Sequence, residues 1–175
     1  MKVERAHIVS SAVAALCAAA LLLTATPVSA QQAQDFITLG PSFGFAAHLG
    51  TPIAGLLGAE VTYTHYEDNI PVGLGVFTQV HSVGFEHTRA ALGPQVNLNT
   101  FGLELGPFIE ERSPGYGTTV GLQACPFASI GVLSLAMRIS IPFTALAQEE
   151  SYAVELGLVV AVKAPIAIGG KLIAF

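Results

Sequence analysis

Residues 132–143 read Val-Leu-Ser-Leu-Ala-Met-Arg-Ile-Ser-Ile-Pro-Phe, and every second side chain from Leu133 to Phe143 is large and apolar. The side chains between them are mostly small or polar and include the charged Arg138. Successive side chains of a β-strand point to opposite faces, so this alternation predicts a strand with one apolar and one mixed face. A helix would instead repeat its apolar side chains every three or four residues.

The same alternation recurs along the chain and predicts eight strands. No Asp, Glu, Lys or Arg occupies the apolar face of any of them, and all their charged side chains lie on the opposite face. The other seven segments are 36–46, 57–66, 72–81, 87–97, 101–110, 118–128 and 152–163.

The choice of which face is buried decides the class of protein. Hydrophobic residues make up 52% of the chain and charged residues only 11%, against about 25% charged in ordinary soluble domains. The mixed face, rich in Gly, Ala, Thr and Ser, would be a poor solvent surface but a good lining for a narrow interior. We therefore predict an all-β fold, a closed eight-stranded antiparallel transmembrane β-barrel whose apolar face meets lipid. Strands of about 9–11 residues span a bilayer when tilted, and closure satisfies every backbone group.

Residues 1–30 have the pattern of a secretory signal peptide. A short charged start with Lys2 and Arg5 precedes an apolar run over 8–25, and Val28-Ser29-Ala30 forms a cleavage site. We expect cleavage after Ala30, which leaves 31–175 as the barrel domain; an uncleaved membrane anchor is the alternative. Cys125 is then the single cysteine, so we expect no internal disulfide.

The predicted connections differ in length on the two sides of the membrane. From a periplasmic start, the connections outside the cell are longer than those in the periplasm, as is usual for outer-membrane barrels. The outer set is 47–56, 82–86, 111–117 and 144–151, and the inner set is 67–71, 98–100 and 129–131.

The signal peptide, the eight alternating segments, the short inner turns and the terminal Phe175 together resemble the small eight-stranded outer-membrane barrels of the OmpA transmembrane-domain and OmpX type. The resemblance implies an outer-membrane location, contact with outer-membrane lipids, and recognition of Phe175, with Ile173, by the barrel-assembly machinery. Two interpretations of 164–175 stay open. The segment is either a periplasmic tail or the true last strand.

Charged side chains on the mixed face predict a plugged lumen. An eight-stranded barrel is just wide enough for side chains to fill it, and a buried charge without a partner is very costly. We expect three basic and four acidic side chains to pair there, beginning with Arg138 and Glu155, which lie diagonally across the last hairpin. The set is Glu60, Arg89, Glu104, Glu110, Arg138, Glu155 and Lys163. Such a plug favours a structural or surface-interaction role over a conducting pore.

Two other functions remain open at this point. A soluble periplasmic lipocalin-like barrel would turn the apolar face inward and bind an apolar ligand. A lipid A-modifying enzyme would use His81 or His87 near the outer end, although alternation turns His81 inward and Ser82 outward, which makes them poor partners. We expect no catalysis.

The sequence also argues against several kinds of partner. A net charge of −5 is unsuited to binding nucleic acid. No spacing of His, Cys and acidic residues predicts a metal site, and none predicts another cofactor. The outer connections are short, which leaves room for a small surface ligand but not for a large adhesive surface.

Overall fold

The computed structural model describes residues 34–48, 53–67, 70–111, 118–143 and 154–168. The predicted signal peptide and Phe175 lie outside these residues and stay predictions. Nearly all of the described chain is antiparallel strand. The strands are β1 (Gln34–His48), β2 (Ala54–Tyr66), β3 (Val72–Val83), β4 (His87–Leu98), β5 (Phe101–Glu111), β6 (Thr119–Ile130), β7 (Leu133–Pro142), β8 (Glu155–Val162) and β9 (Ala164–Ile168).

The sheet closes on itself through β1. Each strand from β2 to β8 pairs with the next, and β1 pairs with β2 along one edge and with β8 and β9 along the other. All pairings are antiparallel. The prediction of a closed eight-stranded antiparallel barrel is confirmed. Within the described ranges, no helix is long and apolar enough to cross a membrane.

Strand β9 bears on the question left open for 164–175. Ser42 of β1 pairs with Ala161, and Leu39, three residues earlier, pairs with Ala164, three residues later. The register is therefore unbroken across Lys163, which faces the lumen in phase with β8. The segment 164–168 thus continues the eighth and last strand and is not a tail; residues 169–175 lie outside the described residues.

Exposure alternates along every strand in the predicted phase. On β7, Leu135 is 49% exposed while Ser134 beside it is 6% exposed. All the largest fully buried side chains are polar or charged, which reverses the usual distribution in a soluble domain. They are Arg89, Arg138, His81, Gln123, Glu110, Glu155, Ser42 and Ser140. The interior is polar and the outer wall is apolar.

Three connections are described over their whole length. Residues 99–100 and 131–132 lie at one end of the barrel and 84–86 at the other, within a few residues of the predicted bounds. Two inner turns have only two residues each, and Asn99 and Gly131 there adopt left-handed φ values of 52° and 59°. Asn and Gly tolerate this conformation best, which suits tight hairpins.

Proline residues inside the strands lie where the ladder is interrupted. Proline cannot donate a backbone hydrogen bond and normally disrupts a central strand. Pro94 and Pro107 both fall in the stretch of β4 and β5 where pairing stops between Ala91–Phe108 and Gln95–Glu104. Pro41 and Pro126 occupy similar gaps, beside β8 and β7 respectively. Each of these prolines pairs with its other neighbouring strand, so the wall stays continuous.

Glycine fills the inner side of the same gap. A Cβ added to Gly106 would lie 2.0 Å from the Leu92 carbonyl oxygen, and one added to Gly93 would lie 2.2 Å from the Leu105 carbonyl oxygen. These contacts are with backbone, so no side-chain rotation relieves them. Only glycine lets β4 and β5 approach this closely.

We expect Gly106→Ala to destabilise the barrel by about 1–3 kcal/mol or more, because the added methyl group overpacks a backbone contact. The matched control is Gly55→Ala, whose new methyl group would meet only the Phe85 ring at 3.8 Å. Urea unfolding of both variants in detergent micelles measures the difference. Equal stabilities would show that β4 and β5 are not in close contact at Gly106.

Candidate functional site

The lumen is built by rows of inward side chains on adjacent strands. Ser42 pairs with Gly58, Gly58 with His81, His81 with Arg89, and Arg89 with Glu110. This single row crosses β1 to β5 near their outer ends. The strand register therefore places a histidine, an arginine and a glutamate side by side on the inner face.

Arg89 is the centre of what we call the outer cluster: Arg89, Arg138, Glu110 and Glu155. Its Nε donates to Glu110 Oε2 at 2.7 Å, and its Nη2 donates to Glu155 Oε2 at 2.8 Å. Glu155 lies on β8, so the second bond crosses the lumen. The guanidinium carbon also lies 4.6 Å from the centre of the Phe108 ring, a distance at which a cation and an aromatic face attract each other.

Arg138 contacts the same carboxylate from β7. Its Nη2 donates to Glu155 Oε1 at 2.8 Å. Glu155 pairs in register with Ser140, two residues from Arg138, so the contact is the expected diagonal one. The four side chains of the outer cluster are at most 1% exposed and carry two positive and two negative charges.

The inner cluster lies toward the end of the barrel that carries the two-residue turns and consists of Glu60, Glu104 and Lys163. Lys163 Nζ bonds to Glu60 Oε1 and lies 3.7 Å from Glu104 Oε1. The ammonium group is also 5.4 Å from the centre of the Phe127 ring. The structure thus places all seven predicted side chains inside the lumen and brings them together in two clusters at different depths.

The two clusters fill the lumen. Buried Phe77, Ala91 and Phe108 pack beside Arg89, and Gln123 is fully buried. Charged hydrogen bonds span the barrel from β4 to β8 and from β2 to the end of β8. Side chains and ion pairs, rather than an aqueous channel, occupy the middle of this part of the barrel.

A cavity opens at the end of the barrel that carries the two-residue turns, and we call it the vestibule. Its volume is about 300 Å³, and Lys163 lies in its wall. The rest of the lining mixes hydroxyl and amide groups with aromatic and aliphatic side chains, including Thr64, Asn97, Phe36 and Leu133. The inner cluster therefore adjoins an open cavity, whereas the outer cluster is sealed.

Sequence reasoning missed one pair in the lumen. Ser42 Oγ and His81 Nε2 are 2.9 Å apart, although β1 and β3 are not neighbours. Gly58 on β2 makes the contact possible, because a Cβ there would lie 2.7 Å from His81 Cδ2. Both side chains are at most 1% exposed, so this serine–histidine pair is buried in the lumen. His87 is only half-buried at the outer end of β4.

A second unpredicted cluster lies on the outer wall, at the same end of the barrel as the vestibule. Asp35 Oδ1 accepts hydrogen bonds from Tyr63 Oη at 2.8 Å and from the ring of His65 at 2.8 Å. Asp35 lies one residue before the predicted first strand, which is why the alternation did not include it. No group of three or more His, Cys, Asp or Glu side chains among the described residues is arranged to hold a metal ion.

Comparison with known proteins finds a structural likeness but no sequence relative. No protein-family model matches the chain, and no curated protein sequence matches it. The crystal structure of Ail, the attachment invasion locus protein of Yersinia pestis, is similar to 78% of this chain over 100% of its own length, with 11% sequence identity and a TM-score of 0.41.

We expect Arg89→Met to destabilise the barrel by about 3–5 kcal/mol, because it leaves two buried carboxylates without their shared cation. Adding Glu110→Gln to that variant should recover part of the loss, since Arg138 and Glu155 then remain as a balanced pair. Urea unfolding in lipid vesicles gives both values. A double variant less stable than Arg89→Met would contradict the pairing.

Proposed function

We propose that this protein is an integral outer-membrane β-barrel with a plugged, ion-paired lumen and a structural or surface-interaction role. The observation that carries the proposal is the reversed distribution of polarity. Large apolar side chains cover the outer wall, including Phe45, Leu74 and Leu92 at 64%, 59% and 63% exposure, while arginine and glutamate are buried inside.

This apolar surface is suited to contact with the hydrocarbon of a membrane. Contiguous apolar patches on soluble proteins rarely exceed a few hundred Å², whereas exposed Leu, Val, Ile and Phe side chains occur here on every strand from β1 to β8. Their transfer from water to lipid is favourable by about 25 cal/mol per Å². The closed backbone ladder suits the same environment, because lipid offers unpaired N–H and C=O groups no partner.

The polar interior also weighs against the soluble alternative. A lipocalin-like barrel needs an apolar internal cavity, but the described lumen is occupied by ion pairs and amides. Burial of His81 against Ser42 weighs against a lipid A-modifying enzyme that uses His81; His87, the other candidate, is half-buried at the end of β4. A plug of paired charges also disfavours a conducting pore.

The proposed location depends on export and orientation. The signal peptide over 1–30, cleaved after Ala30, would deliver the chain to the periplasm, where Phe175 would be read by the barrel-assembly machinery. The longer connections would then face the outside of the cell and form the surface that a ligand could bind. The short inner turns would face the periplasm.

We expect the protein to remain in the outer-membrane fraction and to migrate differently on gels before and after boiling. Both properties follow from a barrel that keeps its hydrogen-bonded ladder in detergent. Cell fractionation with unboiled and boiled samples measures them. Recovery in the soluble periplasmic fraction would overturn the proposal.

We expect Leu92→Arg to cost about 2–4 kcal/mol of insertion free energy, because Leu92 lies on the outer wall near the middle of β4. The matched control is Leu98→Arg, on the same face at the periplasmic end of the same strand, where about 0–1 kcal/mol is expected. Folding into lipid vesicles gives both costs. If the two variants insert equally well, this wall does not face hydrocarbon.

A further inference from the structure

The inner cluster has more negative than positive charge. Glu60 and Glu104 are 6% and 3% exposed and share a single cation, Lys163. Lys163 bonds to Glu60 and lies 3.7 Å from Glu104, so its ammonium group interacts more weakly with Glu104. A second donor to Glu104 is the Gln79 amide, at a long 3.5 Å, and the Glu60 carboxyl group also contacts that of Glu104. A buried carboxylate with such weak partners calls for a further positive group.

One oxygen of this carboxylate, Glu104 Oε1, has no hydrogen-bond donor. The same is true of the neighbouring amide oxygen, Gln95 Oε1. The two residues are direct partners across β4 and β5, both face the lumen, and Gln95 is 4% exposed. Gln95 donates an amide hydrogen to Asn97 Oδ1 at 2.9 Å, so the oxygen of its amide group is the atom without a partner. Two buried acceptors on facing residues, next to excess negative charge, form a site for a cation.

The vestibule lies next to this site. Lys163 lines the vestibule and also contacts both glutamates, so the cavity reaches the lysine of the inner cluster. Oxygen-bearing side chains along the wall, Thr38, Thr64 and Asn97, can replace water around an entering ion. The sealed outer cluster offers no such approach.

We propose that the lumen binds one monovalent alkali cation between Glu104 Oε1 and Gln95 Oε1. Both atoms that would bind the cation are oxygens, which hard cations prefer as ligands. One positive charge balances the inner cluster, whereas a divalent ion would leave net positive charge beside the Lys163 ammonium. This inference concerns the lumen alone, so its test in micelles succeeds or fails independently of the fractionation that tests the outer-membrane location.

The test compares the melting temperature of the purified protein in detergent micelles in NaCl and in choline chloride at equal ionic strength and pH. Choline matches the charge of Na⁺ but is too large for a two-oxygen site in a filled lumen. We expect the melting temperature to be higher in NaCl and to rise with Na⁺ concentration in the saturating manner of a single site. Equal melting temperatures in the two salts would overturn the proposal. That result would mean that a proton, and not a metal cation, neutralises Glu104.

Two variants locate the site. Glu104→Gln removes the excess charge and should abolish the difference between the two salts, while Glu111→Gln, on the exposed end of the same strand, should retain it. Gln95→Met keeps the cluster's charge but removes the amide oxygen, and should reduce the Na⁺ effect even if Glu104→Gln fails to fold. An undiminished Na⁺ effect in Gln95→Met would place the ion elsewhere and overturn the assignment.

Discussion

Every other feature of this barrel depends on the pairing of backbone hydrogen bonds in a closed sheet. An apolar surrounding offers no partner to a free N–H or C=O group, so the sheet must have no edge. Strand β1 removes the edge by pairing on both sides, with β2 and with the continuous β8–β9 strand. Eight strands enclose only a narrow interior, so any charged side chain turned inward meets others at short range.

Proline and glycine occur where the hydrogen-bonded ladder is interrupted. A proline that lost a bond inside a regular sheet would leave a carbonyl oxygen without its donor. Here Pro94 and Pro107 share one gap, and the absence of a Cβ at Gly93 and Gly106 allows the two strands to stay close across it. The unpaired positions are thus concentrated at a few places and not scattered along the wall. The in-strand prolines, which would argue against strands in a flat sheet, are compatible with this curved one.

The alternation of side chains predicted the strands and their faces because both depend on the chain's own period of two. Contacts across the lumen depend instead on the stagger of all eight strands, which no local pattern contains. The Arg138–Glu155 diagonal was predictable because a single hairpin sets it, whereas Arg89–Glu155 and Ser42–His81 join strands that are not neighbours. Lys163 marked the predicted end of the eighth strand, yet the register with β1 continues through it to Ile168.

The two charged clusters differ because their surroundings differ. The outer cluster is at most 1% exposed and has equal numbers of positive and negative charges, as a site closed to water requires. The inner cluster carries an additional carboxylate, and its Lys163 side chain is 13% exposed toward the vestibule. Exposure toward that cavity raises the local dielectric and lowers the cost of unbalanced charge. An additional carboxylate is therefore less costly beside the vestibule than it would be in the sealed outer cluster.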